Sequence, residues 1–301
     1  KNLKGTAIQF LDADPVVYAG TWSSGGAMNT GRSELGGAGI QTASFAFGGQ
    51  IPPYGAVAET YNGSTWTETA DLNTARKMGS GTGAGTTTAA LAFGGRKSPS
   101  DANTAETESW NGSAWTEVND LNTARGQLGG SGATYTAAIA AGGGTPSATA
   151  VTETWNGTSW TEVNDLNSSR RNLPVSGTTT SALAGGGEDG PNAQIESWNG
   201  TSWTEVSEAN TARNSASMSC NGLNTDTIYF GGYTTTNIAN TESWNGSAWT
   251  EVNDLSTAKS YAAGTGTSTL AFSFGGSPSV SSSEEWSFPP ATASTLQEGD
   301  M

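Results

Sequence analysis

The chain has 301 residues, with 27 Asp and Glu against 12 Lys and Arg, giving a formal charge of −15 and a pI near 4.2. Such a surface repels phosphate backbones, which argues against nucleic-acid binding. It has no histidine and one cysteine, Cys220, so the commonest general base, the usual copper or zinc ligand and any intrachain disulfide are all excluded.

Residues 1–19 read as an N-terminal extension whose apolar cluster, Ile8, Phe10 and Leu11, would tuck against the body or contact a neighbouring subunit. The chain starts at Lys1 rather than methionine, as expected of a processed or trimmed piece, and no run of 18 apolar residues provides a membrane helix. Gly20-Thr21-Trp22-Ser23 then reads as a lone strand. From Arg32 onward one pattern recurs: a basic residue, a strand rich in Gly, Ala, Ser and Thr, a second strand ending in paired glycines, a variable loop, and an aromatic hairpin. Its clearest copy is Glu108 to Arg125, ESWNGSAWTEVNDLNTAR, which returns almost unchanged at Glu242 to Lys259 and, with more changes, at Glu153, Glu59 and Glu196.

Period-two alternation around Trp110 and Trp115 predicts two strands. Asn111-Gly112 between them tolerates the positive φ of a tight turn, so the two tryptophans fall on the arms of one hairpin. The following Asp120-Leu121-Asn122-Thr123-Ala124 reads as a connector rather than a helix. The second hairpin arm carries Trp22, Trp66, Trp115, Trp160, Trp203 and Trp249, spaced by 44, 49, 45, 43 and 46 residues. The first arm carries Tyr61, Trp110, Trp155, Trp198, Trp244 and Trp286. Four strands in roughly 40–50 residues is the period of a propeller blade.

The last copy stops at Trp286 without its second arm, and the missing arm is Thr21-Trp22 at the other end of the chain. The expected fold is therefore all-β, a six-bladed β-propeller of four-stranded blades spanning 20–287. Its N-terminal strand joins the C-terminal blade, which leaves no blade unpaired. The blades would run 32–70, 76–119, 125–164, 170–207, 213–253 and 259–287 plus 20–25, with 288–301 as a C-terminal linker.

The double glycine, the aromatic, the tryptophan several residues on and the basic residue before the next unit resemble the kelch repeat. Gly94-Gly95, Trp110, Trp115 and Arg125 hold those positions here, with Trp in place of the usual Tyr and Lys259 in place of Arg. The wording of the repeats and the terminal Glu298-Gly299-Asp300-Met301 resemble kelch-like virion proteins of tailed (marine) phages. The kelch resemblance implies a propeller but no single function, since such propellers host enzymes and binding scaffolds alike.

The repeated tryptophans read as inter-blade packing rather than a sugar-stacking platform. Glu59, Glu108, Glu153, Glu196, Glu242 and Glu284 recur once per blade and read as a blade-locking partner for the basic residue rather than a ring of cation ligands; no metal or cofactor is expected. Asn62, Asn111, Asn156, Asn199 and Asn245 match a glycosylation acceptor, a match expected from the turn alone. Cys220 reads as a small packed residue on a first or second strand. The six loops after the double glycines differ in every copy, and variable loops on a rigid frame are where recognition resides. Within them Pro53, Tyr54, Arg96, Lys97, Glu188, Asp189 and Tyr233 stand out as candidate ligand-binding residues.

The expected function is a non-catalytic binding and display module on a virion surface or in an extracellular setting. It would recognise a host surface glycan or protein, or contact other virion proteins. A purely structural decoration or connector is the second reading, and a carboxylate-dependent glycan hydrolase using Glu188 or Asp189 the third.

Overall fold

The computed structural model describes residues 20–52, 54–78, 83–187 and 192–288. The expectations for residues 1–19, Pro53, Glu188, Asp189 and the tail beyond 288 lie outside these. Among the described residues there is no helix; there are six four-stranded antiparallel sheets and one small three-stranded sheet. The arrangement is consistent with a propeller-like repeat fold.

In chain order, the first sheet holds Gly36–Ile40, Ala43–Phe47, Ala58–Tyr61 and Trp66–Glu68. The second holds Ala84–Gly85, Ala90–Phe93, Thr107–Trp110 and Trp115–Val118. The third holds Gly129–Thr134, Ala137–Ala141, Thr152–Trp155 and Trp160–Val163. The fourth holds Val175–Gly177, Ala182–Gly185, Ile195–Trp198 and Trp203–Val206. The fifth holds Ser217–Met218, Thr227–Phe230, Thr241–Trp244 and Trp249–Val252. The sixth joins Ala263–Gly266, Ala271–Phe274 and Ser283–Ser287 to Thr21–Ser24 from the other end of the chain. There Trp22 lies opposite Trp286, as Trp115 lies opposite Trp110 in the second sheet.

Each hairpin is built as its residues require. The Asn111 carboxamide oxygen accepts the backbone N–H groups of Ser113 and Ala114, and Gly112 holds φ +94°, so Asn-Gly is demanded by the turn itself. The indole N–H of Trp110 donates to Thr87 O in the turn between the first two strands of its own sheet. The second tryptophan of each hairpin instead reaches the preceding sheet. Trp160 donates to Thr107 Oγ1, Trp203 to Thr152 Oγ1, and Trp22 to Thr241 Oγ1. Trp66 of the first sheet donates to Gly26 O, beside the sixth. Burying one such ring removes roughly 150–250 Å² from water, an upper bound of about 4–6 kcal/mol.

A second recurring device joins sheets through backbone. The second glycine of each pair donates its N–H to the carbonyl of the next basic residue: Gly49 to Arg76, Gly95 to Arg125, Gly143 to Arg170, Gly187 to Arg213 and Gly232 to Lys259. Gly276 of the sixth sheet donates to Arg32 of the first at 2.9 Å. First strands crowd one another, and small residues are the consequence. A Cβ added at Gly129 would stand 2.6 Å from Cγ2 of Val175 on the first strand of the next sheet.

The glutamate and the basic residue form a buried ion pair in every sheet. Distances are 2.6 Å for Arg32–Glu59, 3.2 Å for Arg76–Glu108, 3.0 Å for Arg125–Glu153, 2.7 Å for Arg170–Glu196 and 3.3 Å for Lys259–Glu284; Arg213 pairs with Glu242 likewise. The other glutamate oxygen accepts a connector N–H, from Asn29, Asn73, Asn122, Asn167, Asn210 or Ser256. One carboxylate thus pins both the basic residue and the chain leading to it.

Two placements differ from the sequence reading. Arg96–Lys97 and Ala102–Asn103 are not free loop: they pair with each other, and Arg96–Lys97 also pairs with Arg76–Lys77, forming the three-stranded sheet. The loop is long enough to fold back on itself, and its ladder satisfies backbone groups that would otherwise be left unpaired. Cys220 lies on neither strand but in the turn following Ser217–Met218. This turn is the longest of its kind and bridges distant sheets. Cys220 O accepts Ser131 Oγ at 2.5 Å from the third sheet and Gly177 N at 3.0 Å from the fourth. Asn221 donates its N–H to Gly266 O in the sixth and its side-chain amide to Gly39 O in the first, at 2.8 Å.

Burial at this crossing pushes the Cys220 thiol from an ordinary 9.0 up to about 12, and burial likewise pushes Tyr229 from 10.0 to about 12. A raised folded-state pKa on an acid means that the unfolded chain gives up its proton first. Stability from each group is therefore intact below the unfolded pKa and falls as pH rises between about 9 or 10 and 12, at up to ~1.4 kcal/mol per pH unit each. We expect alkaline unfolding to set in above pH 9. Urea midpoints measured from pH 8 to 11 should fall less steeply for Cys220→Ala with Tyr229→Phe than for wild type, and parallel slopes would refute this.

Candidate functional site

Strand alternation sends the connections between second and third strands, and those between sheets, to one end of every sheet. This loop end carries residues that the repeat does not account for. The Tyr54 hydroxyl, from the first sheet's loop, donates to Asp101 Oδ1 at 2.8 Å. Lys77 Nζ stands 3.3 Å from the same oxygen, 3.8 Å from Glu34 Oε1 and 4.9 Å above the Tyr54 ring. Arg96 reaches Asp101 Oδ2 at 3.3 Å, Asn103 Oδ1 at 3.2 Å and Gln127 Oε1 at 2.8 Å. Gln127 in turn donates to Asn172 Oδ1 at 2.9 Å. The network therefore spans side chains from the first to the fourth repeat.

Its electrostatics are mutually supporting. Burial alone would pull the Lys77 ammonium down, but Glu34 and Asp101 outweigh it and hold it above its ordinary value. Burial would raise Asp101, yet the Tyr54 hydroxyl with Lys77 and Arg96 holds it below the usual carboxylate range. Glu34 is raised by burial, with Lys77 offsetting part of the effect. Tyr54 is raised by burial and by its bond to Asp101. Among the described residues every cation outside the six buried pairs stands at this end: Lys77, Arg96, Lys97 and Arg171.

Beneath the network lies a run of strained backbone. Glu34, Gln127, Asn172, Ser215 and Tyr261 each sit two residues after the basic residue and hold φ between +51° and +56°, a region costly for side chains other than glycine. What over-determines them is a chain of backbone bonds: Met78 N–H to Glu34 O, Glu34 N–H to Tyr261 O, Tyr261 N–H to Ser215 O, Ser215 N–H to Asn172 O and Asn172 N–H to Gln127 O, all 2.7–3.0 Å. Of the residue types at this offset only Asn172 favours this region, so little in the letters announced the conformation.

Of the residues singled out in the sequence, Tyr54 and Arg96 come together through Asp101. Lys97 turns aside to pair with Glu106. Tyr233 is exposed at the loop end of the fifth sheet, its backbone bridged to Asn214 and Asn237. Pro53, Glu188 and Asp189 are outside the described residues. Lys77, Asp101, Glu34 and Gln127 were missed by sequence reasoning. Lys77 and Gln127 carry the one usable signal, since they follow the repeated arginine and differ from copy to copy. Among the described residues no group of three His, Cys, Asp or Glu side chains is placed to hold a metal ion. No protein-family model matches this chain, and no curated protein matches it.

Proposed function

We propose that the chain is a closed, six-bladed, kelch-like propeller that serves as a non-catalytic binding module at the surface of a larger extracellular assembly, such as a phage particle. The closure is supported by the pairing of Trp22 with Trp286 and by three inter-sheet contacts that recur between sixth and first sheets: Gly276 to Arg32, Glu34 to Tyr261, and Trp66 to Gly26. The binding reading rests on one observation: the side chains of Tyr54, Lys77, Arg96, Asp101 and Gln127, which the repeat does not need, converge at one end of a rigid frame. Ion pairs and hydrogen bonds hold these donors and acceptors in place, so little ordering entropy is lost when a ligand arrives. A host surface glycan or a protein loop offers the matching hydroxyls and amides.

The test is binding of the full chain to a glycan array and to host cells. Tyr54→Ala and Arg96→Ala should each weaken binding at least roughly tenfold, a loss of about 1.4 kcal/mol, while the melting temperature changes little. Tyr233→Ala reports whether the site reaches the fifth sheet. Unchanged binding in all three variants would remove the loop end as the site.

A further inference from the structure

The opposite end of the sheets has a contrasting composition. It is formed by the turns 40–43, 86–89, 134–137, 178–181, 219–226 and 267–270 and the Asn-Gly turns 62–65, 111–114, 156–159, 199–202 and 245–248. In a chain with 39 charged residues these turns contain one, Asp226, and its carboxylate accepts Ser268 Oγ at 2.6 Å. The described residues include six exposed large hydrophobics, each at least 40% exposed, and five of them stand here: Ile40, Tyr135, Leu223, Leu270 and Phe288.

Several of these are neighbours. Ile40 and Leu270 line one cleft of about 180 Å³ with Gln41, Thr42 and Thr267. Phe288 N–H donates to Thr269 O beside Leu270. The bridging turn brings Leu223 close, since Asn221 bonds to Gly39 O next to Ile40 and to Gly266 O. An apolar patch within a charge-depleted surface is the composition of an interface core.

We propose that this turn end is a self-association face, on which two copies of the chain dock as an isologous pair. Charge decides the occupant. Elsewhere the surface is charged: the fourth strands expose Glu68, Glu117, Glu162, Glu205 and Glu251, and the loop end carries its ion-paired network. Two molecules of charge −15 meeting through those surfaces set like charges against each other, whereas the turns 40–43, 219–226 and 267–270, where the apolar patch lies, carry only Asp226. The Asn-Gly turns 156–159 and 199–202 border Glu117 and Glu162 and form the charged rim. At physiological salt, charges more than about 8 Å away are largely screened. The hydroxyls and amides of Thr, Ser, Asn and Gln each donate and accept, so the face is complementary to itself, as an isologous contact requires. Docking this way leaves both loop ends pointing outward.

The experiment is sedimentation equilibrium of the full chain at several concentrations up to about 100 μM, in 0.15 M and 1 M NaCl. A reversible dimer of twice the 30.5 kDa chain mass is expected, undiminished at high salt. Ile40→Asp with Leu270→Asp, and separately Leu223→Asp, should each raise the dimer dissociation constant at least tenfold while the circular dichroism stays native. Wild type that is monomeric at all concentrations overturns the proposal, as does a dimer that both variants leave intact, one dissolved by salt, or a trimer or larger ring. Failure here leaves the loop-end binding assay unaffected, because that assay reads different residues.

Discussion

Truncation to residue 28 should lower the melting temperature by roughly 10–20 °C relative to truncation to residue 20. The two truncations differ only by the segment containing Thr21–Ser24, the fourth strand of the sixth sheet. Its loss uncovers Trp286, which is fully buried and whose ring lies 5.4 Å from that of Trp22, and exposes the edge of Phe230, 5.0 Å from Trp22. It also removes Gly26 O, the acceptor for both Trp66 Nε1 and Ser283 Oγ. Exposing about 200 Å² of apolar surface costs ~5 kcal/mol, and at this chain length each kcal/mol moves the melting temperature by about 2–4 °C. Equal melting temperatures for the two truncations would show that the strand contributes nothing, and the proposed closure would fall with it.

Arg125→Met should cost about 3–5 kcal/mol, because it leaves the Glu153 carboxylate buried without its counter-charge. The guanidinium also donates to Gly142 O and Val151 O, which lose their donor. Adding Glu153→Gln to Arg125→Met should recover part of the loss, since the remaining group is neutral and still faces the N–H of Asn122. The sixth sheet provides the converse experiment. Lys259 Nζ reaches Glu284 but makes no hydrogen bond, whereas arginine at this position in the other sheets also bonds backbone carbonyls. Burial accordingly holds the Lys259 ammonium below its ordinary value, with Glu284 offsetting part of the shift. Lys259→Arg should therefore raise the urea midpoint. Together these variants separate a lock that matters from a repeated ornament: if Arg125→Met costs less than about 1 kcal/mol, the pair is not holding the sheet.

Much of this architecture is legible in the letters because it is periodic and local. An Asn-Gly turn with tryptophans flanking it, a double glycine and a basic residue at a fixed offset each express a demand that one repeat makes on its own backbone or on its immediate neighbour. Six copies of the same demand made the four-stranded sheets, the hairpins and the Glu–Arg pairing readable, along with the idea that Thr21-Trp22 completes the sheet of Trp286. The sequence also showed which loops break the period.

Only the tertiary structure decided what those breaks do. Tyr54 meets Asp101, Lys77 and Arg96 across 23–47 residues of chain, and Asn221 meets Gly39 across 182. The left-handed residues at Glu34, Gln127, Asn172, Ser215 and Tyr261 are held by bonds between sheets, and of these only Asn172 favours that region by itself. The gathering of uncharged turns at one end and, at the other, of the described cations outside the six repeated pairs depends on how strands alternate, which no single repeat specifies. Local backbone chemistry is written within a repeat and can be read there. Contacts between repeats at positions where the copies differ are set by packing of the whole chain, and they appear only when the sheets are brought together.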